Sequence, residues 1–197
     1  MTVGPPRSGT LLPLGEEVFE SVLEACKTGS QWAWAALYRD LAGPVTGYLA
    51  SRGSSEPEDT ASEVFLKVAR SIHGFTGDES SFRSWIFVIA HRTLLDERRT
   101  RSRHPSPTEL PPETGMSNWG GNVESEAVEQ LITDELQAAF DRLTQSQRDV
   151  LGLRIIAGLT VEQTAEVLGK REGAVKALQR RALAAVQMMI DLEDVTQ

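Results

Sequence analysis

Leu159–Gln187 reads LTVEQTAEVLGKREGAVKALQRRALAAVQ, and its spacing decides the fold of the C-terminal part of the chain. Thr160 stands where a helix begins, and Gln163, three residues on, closes a capping box. Ala165 is small where two helices must cross closely, and Gly169 follows Leu168 as a residue that takes a left-handed turn without steric cost. A second helix then sets Val175, Leu178, Ala182 and Ala185 on one apolar stripe. Its first turns and opposite face carry Arg171, Glu172, Ala174, Lys176, Gln179 and Arg180. This is the layout of a helix-turn-helix, whose second helix presents side chains to base edges while neighbouring donors hold phosphates. An ordinary helical hairpin with a solvated basic face is the plainer reading of any one of these features. Glu172 has two readings of its own, an acceptor for cytosine N4 or a complement to the helix dipole.

Upstream of this motif the apolar pattern is also helical. Residues 1–14 hold three of the nine prolines and two glycines with no periodicity, which predicts a disordered arm. From Glu16, the residues Val18, Phe19, Val22, Leu23 and Cys26 recur at helical spacing until Gly29. QWAWAALYRDLAGPVTGYLASRG follows, with Pro44 expected to kink or divide it. Pro57 suits the first turn of a third helix, with Glu58 and Asp59 at the positive end of its dipole. HGFTGDESS is a loop, after which a helix is expected from Phe82 to about Arg101. SRHPSPTELPPETGMSNWGGN is too poor in apolar residues to pack and too long for a compact loop, so it reads as a linker. Beyond it come a helix from Val123, a capping box at Thr144–Gln147 and a helix to Ala157. The expected architecture is all-α, with two small helical domains (residues 15–103 and 125–190) joined by a flexible acidic linker (104–124) and followed by a tail (191–197).

The formal net charge of -8 argues at first against a nucleic-acid partner. Its distribution argues the other way. His91–His104 holds five arginines against two acids, and Gln147–Met188 holds seven basic residues against four acids. Pro105–Ser146 between them holds eight acids and one arginine. Two basic islands flanking an acidic tract fit a DNA binder, although solvated helix faces give the same count. A single cysteine, Cys26, leaves no disulfide framework and no cysteine-based zinc pattern, which points to a reducing cytoplasm. The chain has no apolar run of spanning length and no secretion signal. The three histidines are scattered, and neither a phosphate loop nor a nucleophile motif is present, so no catalysis, metal or cofactor is expected.

Three blocks, in order, resemble the extracytoplasmic-function group of bacterial sigma factors. PEDTASEVFLKVARSI resembles the core-binding segment A-E-D-L-T-Q-E-V-F, with Glu58, Asp59, Glu63, Val64 and Phe65 retained and Thr60 and Ser62 replacing Leu and Gln. FRSWIFVIAHRTLLDERRTRSR resembles the promoter-melting and -10-reading helix, with His91-Arg92 where Arg-Asn is commonest. LTQSQRDVLGLRIIAGLTVEQTAEVLGKREGAVKALQRRAL resembles the -35-reading domain, with Val175-Lys176-Ala177-Leu178-Gln179 in place of V-K-S-R-L.

The resemblance implies a cytoplasmic bacterial sigma factor whose partners are core RNA polymerase (its beta and beta-prime subunits), promoter DNA and an anti-sigma factor. It assigns polymerase binding to Asp59, Glu63, Phe65, Leu66 and Arg70. The -10 DNA would be met by Phe82, Arg83, Trp85, Arg92, Arg98 and Arg99, with Trp85 placed on the apolar stripe and so better suited to the core. The -35 DNA falls to the six residues of the recognition helix named above. From the residues alone, a conventional helix-turn-helix regulator, binding duplex DNA as a dimer without polymerase, stays open.

Overall fold

A computed structural model of the chain describes residues 16–103 and 142–194, all of whose regular elements are helical. The expected arm, the linker and the helix from Val123 lie outside the described residues. The first part contains α1 (Glu16–Lys27), α2 (Gln31–Ser51), α3 (Pro57–Ser71), a 3-10 turn at Ile72–Gly74 and α4 (Glu79–Arg103). The second contains α5 (Gln145–Leu151), a π turn at Gly152–Ile156, α6 (Val161–Leu168) and α7 (Glu172–Asp194). The last helix thus runs beyond residue 190, where a tail was expected.

Local signals explain most boundaries. α1 buries Phe19, Val22, Leu23 and Cys26 and stops at Gly29, whose φ of +80° only glycine adopts easily. α2 continues through Pro44 rather than dividing there. Proline removes one backbone donor, and burial of Leu41, Val45, Tyr48 and Leu49 around it holds the helix together. Pro57 opens α3. α4 begins three residues before Phe82 because Asp78 caps it, its carboxylate accepting from the Ser81 backbone N–H at 2.7 Å.

In the second part both expected capping boxes form. Gln147 Oε1 accepts from the Thr144 N–H at 2.8 Å, and Gln163 Oε1 does the same for Thr160 at 2.8 Å. Gly169 ends α6 in the left-handed region at φ +60°. Val150, Ala165 and Val175 pack where α5, α6 and α7 meet.

The two parts are not independent bodies in this conformation. α6 packs on α4, and the π turn packs on α2. Leu153, Ala157, Leu159 and Val167 join the same apolar core as Phe87, Leu94 and the rest of the first part.

Nothing lies within 4 Å of the position a Cβ would take at Gly169, so Gly169→Ala tests backbone conformation alone. We expect a loss of about 1–2 kcal/mol, read by chemical denaturation, with no change in helix content at low denaturant.

Candidate nucleic-acid interface

α3 presents Asp59, Glu63, Leu66 and Arg70 along one exposed stripe, with Leu66 57% exposed. Glu63 pairs with Lys67 at 2.8 Å, and Lys67 also donates to Thr93 Oγ1 at 3.0 Å. Phe65 points the other way and is buried, its ring 4.7 Å from that of Tyr38, so it supports the stripe from beneath. Thr60 is buried too. Its hydroxyl lies 3.0 Å from Ser54 Oγ and donates to the Glu56 carbonyl at 2.9 Å. A hydroxyl at this position therefore ties the start of α3 to the preceding loop instead of facing a partner.

Glu97 completes that junction. Its carboxylate accepts from Ser54 Oγ at 2.9 Å and from the Ser55 N–H at 3.2 Å, and it pairs with Arg101 at 2.5 Å. No sequence motif marks Glu97 for this role; only its place on the face of α4 next to the Ser54–Ser55 loop does.

Along α4 the six residues expected at the -10 element divide. Phe82 is only 1% exposed and sits in a ring cluster with Phe19, Phe75 and Trp85, at centroid distances of 5.3, 5.0 and 5.5 Å. It belongs to the core, as the apolar stripe of the helix requires. Trp85 is half-buried against Phe75 at 5.1 Å. Arg83 is held by Asp40 at 3.2 Å and Glu79 at 3.9 Å. Arg92 and Arg99 are exposed, the latter 3.4 Å from Asp96. Arg98 turns inward and donates to the Arg52 carbonyl.

The recognition helix is open to solvent. Arg171, Glu172, Ala174, Lys176 and Arg180 are exposed, while Val175 and Ala182 face the core. Glu172 and Lys176 pair at 3.3 Å, so the carboxylate has a cation beside it before any DNA arrives. Gln179 is half-buried and accepts from Arg154 Nε at 3.2 Å. Among the described residues no group of three or more His, Cys, Asp or Glu side chains can hold a metal ion. Among them, too, no helix is long and apolar enough to cross a membrane.

Two family models match the chain. One for Sigma-70 region 2 matches residues 34–104 and one for Sigma-70 region 4 matches residues 139–187. The ECF RNA polymerase sigma factor ShbA of Streptomyces griseus is 30% identical over 136 residues, which cover 68% of this chain and 71% of that protein. SigX of Bacillus subtilis is 30% identical over 151 residues, covering 72% and 74%. The chain belongs to the ECF family of RNA polymerase sigma factors. BldN of Streptomyces coelicolor is 31% identical over 86% of the chain, which spans 64% of BldN's length. Two solved structures share the fold of this sigma factor. CnrH, in complex with the cytosolic domain of CnrY, has a TM-score of 0.62 at 19% identity over 88% of this chain and 97% of that one. RpoE of Bartonella quintana, in complex with the anti-sigma factor NepR, has a TM-score of 0.60 at 17% identity over 79% and 97%.

No spacing or motif marks the buried polar cluster between the two parts of the sigma factor. Arg52, whose side chain is fully buried, pairs with Asp149 at 2.5 Å. The Gln145 amide lies against both Arg52 and Arg98, and with its oxygen turned towards them it accepts from both. Tyr48 Oη lies 2.8 Å from His91 Nδ1, which is itself 3.9 Å from Asp149. His91 stands where the family commonly has Arg.

Burial holds the His91 imidazole below its ordinary value of 6.5; Asp149 opposes this, while Arg52, Arg98 and Lys170 reinforce it. The packed state thus prefers neutral His91. Its contribution is complete above pH 6.5 and declines as the pH falls from there towards the lowered value. Melting temperature should drop more steeply between pH 7 and pH 5.5 in the parent than in His91→Asn. Phe82→Ala should cost about 3–5 kcal/mol in chemical denaturation. Arg92→Ala should stay within about 0.5 kcal/mol of the parent.

Proposed function

We propose that this sigma factor binds core RNA polymerase and directs initiation by reading -10 and -35 promoter elements from its two parts, without catalysing a reaction of its own. The observation that carries the reading is the pairing, in one chain, of an exposed α3 stripe beside a basic α4 with a solvent-facing recognition helix. A duplex-reading regulator needs only the last of these.

In this reading Asp59, Glu63, Leu66 and Arg70 meet the polymerase, the apolar Leu66 supplying buried area and the flanking charges orientation. Arg92 and Arg99 hold phosphates of the opened strand, and the partly exposed edge of Trp85 offers a stacking surface to an unpaired base. Arg171, Lys176 and Arg180 engage the -35 duplex. Net negative charge limits attraction to free DNA, so promoter affinity arises mainly once the chain is on the enzyme. An anti-sigma factor that covers the α3 stripe would silence the protein in the cytoplasm.

Run-off transcription with core polymerase and genomic promoter fragments tests this. The full chain should yield discrete transcripts that core polymerase alone does not give. Arg180→Ala or Lys176→Ala should lower output several-fold from promoters that depend on a -35 element while leaving core binding intact. Leu66→Ala combined with Glu63→Ala should weaken core binding and spare the -35 duplex. Dimeric binding to a palindromic duplex with no transcript under any condition would contradict the proposal and favour a conventional regulator.

A further inference from the structure

Gln179 takes its orientation from a residue outside the recognition helix. Arg154, on the π turn, donates through Nε to Gln179 Oε1 at 3.2 Å and through Nη1 to the carbonyl of the buried Leu159. Both Arg154 and Gln179 are half-buried, so the contact is sheltered from competing water. A guanidinium donates and has no acceptor, so an amide beside it must offer its oxygen. The planar amide sends its oxygen and nitrogen in diverging directions. With the oxygen held at Arg154, the nitrogen and its two N–H groups are the end that remains for a partner.

Position 179 lies at the margin of the recognition face. Its neighbours at three- and four-residue spacing on α7 are the buried Val175 and Ala182 on one side and the exposed Lys176 and Leu183 on the other. A side chain at the flank of a helix seated in a groove faces the phosphate wall, while the middle of the exposed face meets base edges. The donor set agrees with this placement. A glutamine that reads adenine needs its oxygen and nitrogen together on one base edge, which the contact with Arg154 prevents. A phosphate oxygen is an acceptor and asks only for the N–H. The exchange within V-K-S-R-L makes room for this arrangement, since Leu178 packs against the cluster of Val150, Ala165 and Val175 and leaves position 179 to a polar side chain.

Resting on the sigma-factor reading, we propose that Arg154 is a positioning residue for the -35 duplex, holding Gln179 with its N–H groups outward so that Gln179 donates to a backbone phosphate instead of reading a base. Gln179 then fixes how α7 is seated in the groove and contributes equally to every -35 sequence. Base choice falls to the exposed residues of the same helix.

Gln179→Glu separates this from a structural role. The carboxylate keeps an acceptor for Arg154, so the π turn and α7 stay joined, while the outward donor becomes an oxygen that repels phosphate. The test is run-off transcription by core polymerase with the full chain, on a promoter the parent transcribes and on its single-base-pair variants in the -35 element. Gln179→Glu should lower output at least ~5-fold, by the same factor on every template, with no fall in melting temperature. Gln179→Leu, which restores the apolar residue of V-K-S-R-L, should lower it ~3-fold, again uniformly. Arg154→Met should cost ~3-fold more in the parent than in the Gln179→Leu background, because any loss through the Leu159 carbonyl is common to both and cancels. Parent-level output from Gln179→Glu, a loss that depends on the base pair at one position, or equal costs of Arg154→Met in both backgrounds overturns the proposal. If the parent gives no transcript with core polymerase, the sigma-factor reading fails instead. Titration of the full chain with a labelled random-sequence duplex at low salt then decides: weaker binding by Gln179→Glu supports the phosphate contact, and binding equal to the parent's overturns it.

Discussion

Arg52 has no exposed side-chain surface, and the carboxylate that answers its charge comes from another part of the chain. A buried guanidinium without a carboxylate costs several kcal/mol, so the position of Asp149 is constrained as tightly as any core residue. That constraint sets how α5 lies against α2, and hence where the π turn meets Tyr48 and where α6 meets α4. The polar cluster specifies the arrangement, while the apolar residues around it supply most of the favourable energy. Chain connectivity does not impose the arrangement: 38 residues separate the two described parts, and their contour could reach at most about 130 Å.

Within each part, the structure was legible because local signals and periodicity agree. Thr160, Gln163 and Gly169 mark their boundaries through hydrogen bonds and a backbone angle that need only neighbouring residues. Pro57 and the α3 stripe are read in the same way. Phe82 was less legible, because an aromatic at the start of a basic helix fits both a core and a DNA-facing position. Its three ring neighbours come from the remote residue Phe19 and from the nearby Phe75 and Trp85. At Pro44 local propensity predicts a kink or a break, and the helix runs on without the break because tertiary burial overrides it. The Arg52–Asp149 pair is 97 residues apart in the chain and follows no spacing rule, so only the folded structure joins them.

The same cluster accounts for a departure from the family pattern. Arg is commonest at the position of His91, and a third permanent cation beside Arg52 and Arg98 would leave the buried charge further from balance. An imidazole within 2.8 Å of the Tyr48 hydroxyl stands there instead. Thr60 follows a similar logic at the other junction, where its hydroxyl anchors the entry to α3. Both side chains make hydrogen bonds within the protein. The residues proposed to meet partners are exposed instead: Asp59 and Leu66 on α3, Arg92 and Arg99 on α4, Arg171 and Arg180 at the recognition helix.

The central claim is that the Arg52–Asp149 pair and the apolar contacts around it hold the two described parts against each other. The most direct measurement is the distance between spin labels on Ser102→Cys in α4 and Ala184→Cys in α7, both positions being exposed. The native Cys26 is buried, with its thiol pushed up to about 11, and stays unlabelled. The account predicts one narrow, short distance in the free chain. A broad, long distribution in the free chain would contradict it.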